Sequence, residues 1–152
     1  MKKKLIDKYF TKEDLTKISD AIKDNEKKTS GEIRVSVSEK RPVLSKKKSL
    51  HDLAVKEFVS LKMHKTKDKT GILIYMLLEE KKFYILADSG INEKVDQQIW
   101  DEVRDRLQDS FKKGAFCDGV INTITKIGDI LGKHFPIKPD DTNELPNEVV
   151  VK

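Results

Sequence analysis

Cysteine is almost missing from this chain: one residue, Cys117, in 152. A lone thiol excludes an internal disulfide and a cysteine-based zinc centre, and it fits the reducing cytoplasm. Long apolar runs are missing as well, none approaching the roughly 20 residues that a membrane-spanning helix needs. The opening Met1-Lys2-Lys3-Lys4-Leu5-Ile6-Asp7 is basic but lacks the apolar stretch of a secretory signal. There is no glycine-rich phosphate loop, no EF-hand spacing and no nucleophile elbow, which removes the familiar signatures of nucleotide enzymes, high-affinity calcium sensors and serine hydrolases.

What the chain has instead is charge. Charged residues make up 38% and apolar residues 37%, so a compact core must sit beneath a heavily solvated surface. The net charge is +5, with lysines gathered at Lys46-Lys47-Lys48 and between Lys62 and Lys69, and acids between Pro139 and Glu148. The lysines stand among acids, without interleaved aromatics and with few arginines, so they read as a solvated face rather than a nucleic-acid interface. The expectation is a cytoplasmic monomer of one domain, with no membrane span.

The elements are readable in order. Thr11 is a natural N-cap with Asp14 three positions on and a Phe10/Leu15 staple, opening a helix with a Leu15, Ile18, Ile22 stripe that fades near Asn25. Glu32 to Glu39 alternates, Ile33, Val35 and Val37 on one side and Arg34, Ser36 and Ser38 on a wetter one, which predicts a strand. Ser49 caps a second helix carrying Leu50, Ala54, Phe58 and Leu61. Gly71 to Leu78 is almost continuously apolar, as a strand covered on both faces is. Glu79 to Lys82 then turns the chain into Phe83–Ala87, completing an antiparallel hairpin. A third helix follows Asn92 with Val95, Ile99, Val103, Leu107 and Phe111, and a fourth runs from about Cys117 to His134. In the fourth, Gly128 and Gly132 permit close packing.

The order α-β-α-β-β-α-α predicts a three-layer α/β/α sandwich around a small mixed sheet, in which a crossover helix makes the first two strands parallel. Residues 9–136 form this domain, 1–8 a flexible N-terminus and 137–152 a disordered acidic tail holding three of the chain's four prolines if Pro136 is counted at its border.

Strand direction carries a functional expectation. Two parallel strands start, and the third ends, at one edge of the sheet, which brings together Ser30-Gly31-Glu32, the loop His64–Thr70 and Asp88-Ser89-Gly90. Glu32, Asp68 and Asp88 with nearby hydroxyls are hard oxygen donors, suited to weakly held Ca²⁺ or Mg²⁺. Cys117 reads as a packed apolar residue, and the three histidines as surface placements rather than ligands.

Thr29-Ser30-Gly31-Glu32-Ile33, Thr70-Gly71-Ile72-Leu73-Ile74, Ala87-Asp88-Ser89-Gly90-Ile91 and His134-Phe135-Pro136 together resemble the TPM domain, over roughly Tyr9 to Pro136. The resemblance implies an α/β/α sandwich, divalent-cation binding at acidic loops in some members, and a phosphatase label. It matches Glu32 and Asp88 to acidic strand-end positions and Gly71 to the glycine opening the second strand, whereas Thr70 replaces the acidic or amide residue often found before that glycine. Three readings follow: a cation-binding module with a regulatory or quality-control role, a metal-assisted phosphatase using Asp88 with Lys65 or Arg34, or a protein-interaction adaptor without metal.

Overall fold

The computed structural model describes residues 4–139 and 144–152. Helix α1 spans Lys12–Glu26, and its start is the reciprocal capping box read from the sequence: Asp14 N donates to Thr11 Oγ1 at 3.0 Å and Thr11 N to Asp14 Oδ2 at 2.9 Å. After it come strand β1 (Glu32–Ser38), helix α2 (Leu50–Ser60), strands β2 (Gly71–Leu77) and β3 (Lys82–Ala87), a single turn of helix α3 (Ser89–Asn92), helices α4 (Gln97–Lys112) and α5 (Phe116–His134), and a short β4 (Val150–Val151). Ser49 caps α2 by accepting from Asp52 N at 3.1 Å.

The sheet runs β3-β2-β1-β4. β1 and β2 are parallel from Glu32 opposite Gly71 to Ser38 opposite Leu77, and β3 returns antiparallel with Ala87 opposite Ile72. On one face Ile33, Val35, Val37, Ile72, Ile74 and Met76 pack with residues of α1, α4 and α5; on the other, Leu73, Tyr75 and Leu77 pack with Leu53, Ala54 and Phe58 of α2. Burying each large aliphatic side chain contributes about 1.5–3 kcal/mol, so the three-layer α/β/α arrangement follows from β2 having apolar residues on both sides. Where α1 meets α5, a Cβ at Gly128 would stand 2.4 Å from Asn25 Oδ1, so the two helices approach only because that position is glycine.

Four expectations change. All seven residues of β1 are buried: its polar side is not wet, because α2 and the returning tail cover it. The segment expected to be a disordered tail supplies β4, which pairs parallel with β1 through Ser36–Val150 and Val37–Val151; the part from 140 to 143 lies outside the described residues. The N-terminal segment makes a 3-10 turn over Leu5–Lys8, buries Ile6 in the main core and donates Ile6 N to Glu39 Oε2 at 2.8 Å. Finally, the third expected helix begins at Gln97 and not directly after Asn92, which leaves Val95 before it and the turn α3 apart from it, and on α4 the fully buried aromatic is Trp100 while Ile99 is 38% exposed. Val103 and Leu107 of the expected repeat face the core together with Trp100, and Ile99 alone of that repeat falls on the outer flank.

Candidate functional site

The expected convergence at one edge of the sheet is present. Glu32 N donates to Thr70 O, Asp88 N to Gly71 O and Gly90 N to Lys69 O, each at 2.9 Å. Lys69 turns the loop with φ 57°, in the left-handed region, aiming its carbonyl across at α3. A Cβ on Gly90 would lie 2.3 Å from Asp68 O and 2.5 Å from Lys69 O, so contact between the two loops demands glycine here.

The three acids are arranged differently from one another. Asp88 is half-buried and caps α3: Ser89 N donates to its Oδ1 at 2.7 Å, while Oδ2 is buried without a hydrogen-bond partner. Asp68 is turned outward to Lys138 Nζ at 3.3 Å. Glu32, only 4% exposed, belongs to the polar side of β1, where Glu144 N donates to its Oε1 at 2.7 Å. Among the described residues, no three His, Cys, Asp or Glu side chains converge as a group that could hold a metal ion. The rim therefore contains Asp88 with backbone carbonyls and hydroxyls, and Glu32 serves another assembly.

That assembly was not foreseen. Glu26, the last residue of α1, accepts from Ile33 N at 2.9 Å through Oε2, and its other oxygen is buried beside the Glu32 carboxyl. Burial, then the neighbouring Glu32 carboxyl, raise the Glu26 carboxyl to about 9, which favours its protonated form near neutrality. Further along β1, Ser36 Oγ donates to Glu57 Oε2, whose partner oxygen takes Lys152 Nζ at 2.6 Å. Arg34 reaches Glu148 O at 3.4 Å; burial draws its guanidinium below the usual range while Glu57, Glu148 and Glu26 oppose that shift. In the sequence Glu26 stands in the run Asp24-Asn25-Glu26-Lys27-Lys28, which reads as solvent-facing; buried Asn25 and Ile22 are the one trace of a stripe that reaches the helix end.

The tail is thus fastened by polar contacts as well as by β4. Deleting residues 144–152 should expose the Val37 and Glu39 amides, which face the tail, and speed their hydrogen exchange by at least about tenfold, whereas β2 amides keep their protection. Unchanged exchange at β1 would show that the tail covers nothing essential.

The remaining reactive residues lie apart from the Asp88 carboxylate, except His64, which opens the loop before β2 with its Nδ1 buried and without a hydrogen-bond partner. Burial, reinforced by Asp14, pushes the Cys117 thiol up to about 11, leaving little thiolate at neutral pH. His51 lies edge-on to Tyr84 at 5.4 Å, and His134 ends α5. Asp118 sits inside the first turn of α5, which follows Ala115.

The sequence model of the TPM domain matches residues 6–130. Among solved structures, the NMR structure of the BA42 protein from the psychrophilic bacterium Bizionia argentinensis has 42% identity and a TM-score of 0.84, covering 95% of this chain and 96% of that one. The N-terminal domain of a P. gingivalis protein matches with 13% identity and a TM-score of 0.67, covering 84% of this chain and 79% of that one, which speaks for the fold alone. No curated protein matches.

Proposed function

The chain belongs to the TPM domain family, and from that premise we propose that it is a regulatory binding module which takes up a divalent cation weakly at the rim centred on Asp88. The observation that carries this reading is Asp88 Oδ2, a buried carboxylate oxygen without a partner beside the convergent loops. Burying such an atom is expensive unless something else meets it, and a hard cation does so with the fewest changes. Asp88 would be the one charged ligand, supplemented by loop carbonyls or hydroxyls and water. One carboxylate makes for low affinity. Glu32, held by Glu144 N and Glu26, and Asp68, held by Lys138, are supporting rather than coordinating residues in this proposal.

The phosphatase reading gains no specific observation. Arg34, once a candidate for neutralising phosphate charge, is buried on the covered side of β1 under Glu148.

An amide NMR titration with Ca²⁺ and Mg²⁺ tests the proposal. Shifts should concentrate at Thr70–Gly71 and Asp88–Gly90, and Asp88→Asn should weaken binding by at least about tenfold, because removing the charge removes the dominant ligand term. Shifts scattered over surface carboxylates, or equal in the variant, would refute it.

A further inference from the structure

The pole of the sheet opposite Asp88 is built for a different encounter. β1 ends there at Ser38, and the chain enters a loop whose 3-10 turn, Val43–Ser45, lifts two aliphatic side chains into solvent: Val43 is 84% exposed and Leu44 is 95% exposed. The loop is held firmly. Arg41 grips Glu80 through Nε and Nη2 at 2.8 and 2.9 Å, and its Nη1 donates to Ser45 O at 3.1 Å and to Lys48 O at 2.5 Å. Ser45 is buried beneath the turn and donates its N–H to Pro42 O at 2.9 Å. A network of this kind around two unburied aliphatic residues fixes a protrusion instead of hiding it.

The collar of that protrusion is cationic. Lys40, Lys46, Lys47 and Lys48 are all exposed, and none is in an ion pair among the described residues. Beside the loop, Pro42 and Lys40 border a pocket of about 320 Å³ that also presents Lys56 and Lys152. The acids of this pole are largely engaged: Glu80 by Arg41, Glu57 by Lys152 and Ser36, Glu39 by Ile6 N; Glu79 is the exposed exception. An apolar tip ringed by lysines matches a bilayer surface with acidic headgroups: the aliphatic side chains enter the interface while the ammonium groups stay at phosphate level.

We propose that the loop 40–48 docks this protein peripherally on membranes rich in anionic phospholipid, with the lysine-bordered pocket facing the headgroup phosphates. No helix among the described residues is long and apolar enough to cross a membrane, so this contact is one of surface adhesion.

Vesicle flotation tests it, using phosphatidylcholine alone and phosphatidylcholine mixed with phosphatidylglycerol. The full chain should float with the mixed vesicles only, and less as salt rises. Replacing Lys46, Lys47 and Lys48 together by Gln should weaken partitioning on the order of 100-fold. The pair Val43→Ser and Leu44→Ser should weaken it about tenfold or more at unchanged charge. These side chains are exposed, so thermal unfolding should match the parent and separates lost docking from lost fold. Absence of binding to mixed vesicles overturns the proposal. So does wild-type binding by the serine pair, which would reduce the contact to charge alone. Lysine-dependent capture of duplex DNA or an acidic protein without vesicle binding would assign the surface to a different partner and overturn it too.

Discussion

Replacing Gly90 by alanine should destabilise the fold by about 3 kcal/mol and dismantle the rim around Asp88. The added Cβ would stand within 2.5 Å of two backbone carbonyl oxygens, those of Asp68 and Lys69, and neither can swing aside as a side chain could. Relief requires moving the loop before β2 or lifting α3, and either breaks the Gly90 N to Lys69 O bond. Urea unfolding gives the stability change, and NMR shows where it falls: amides of Thr66–Gly71 and Asp88–Val95 should shift while α1 and α5 stay still. A variant as stable as the parent, with those amides unmoved, would show that the two loops are not in contact. The same variant should lose the cation response, linking the packing at this rim to the proposed function.

Glu26→Gln should make the protein more stable than its parent at pH 8 and about equally stable near pH 4.5, the gap widening steadily as pH rises between the two. In the fold, burial and the Glu32 hydrogen bond raise the Glu26 carboxyl to about 9. An unfolded chain loses that proton near the ordinary value of 4.5. Between these values the folded state binds more protons than the unfolded state, so stability falls as pH rises. The contribution of the neutral acid is therefore complete below the unfolded value and gone once pH passes the folded one. A glutamine amide keeps the acceptor for Ile33 N and offers Glu32 a permanent donor, so its curve lacks this slope. Parallel curves for parent and variant, taken from urea midpoints between pH 4.5 and pH 9, would exclude a protonated Glu26.

Much of the fold could be read from the residues because local rules agreed with each other. The Thr11/Asp14 box, the Ser49 cap, the apolar run from Gly71 and the charged turn before Phe83 each point to one structure, and β1–β2 parallelism followed from the intervening helix. The rim was legible for the same reason: strand direction alone puts Glu32, Gly71 and Asp88 at one edge. Side-chain direction was harder to read. Glu32 lies at the expected edge but faces the covered side of β1, so closeness along the backbone did not bring it together with Asp88. Asp68 was drawn off by Lys138, a partner far away in sequence. Glu26 was hidden because charge in a helix end reads as solvent, and only the tail's return makes that spot interior. β4 has two residues, too few for any period to register, and its address is set by the unfilled edge of β1 rather than by its own composition.

That edge also orders events in time. β2 and β3 are joined by a tight turn and β1 and β2 by a crossover that carries α2, with Glu32 opposite Gly71, so both pairings close smaller loops than the pairing of β1 with the tail. The contact of Arg34 with Glu148 spans 114 residues. Until it closes, β1 is a bordering strand whose outward N–H and C=O groups are open to any extended segment nearby, including the same segment of a neighbouring molecule. Val150 and Val151 therefore close the edge of the strand they pair with, and crowded refolding is the condition in which exchange of tails between molecules would first be seen.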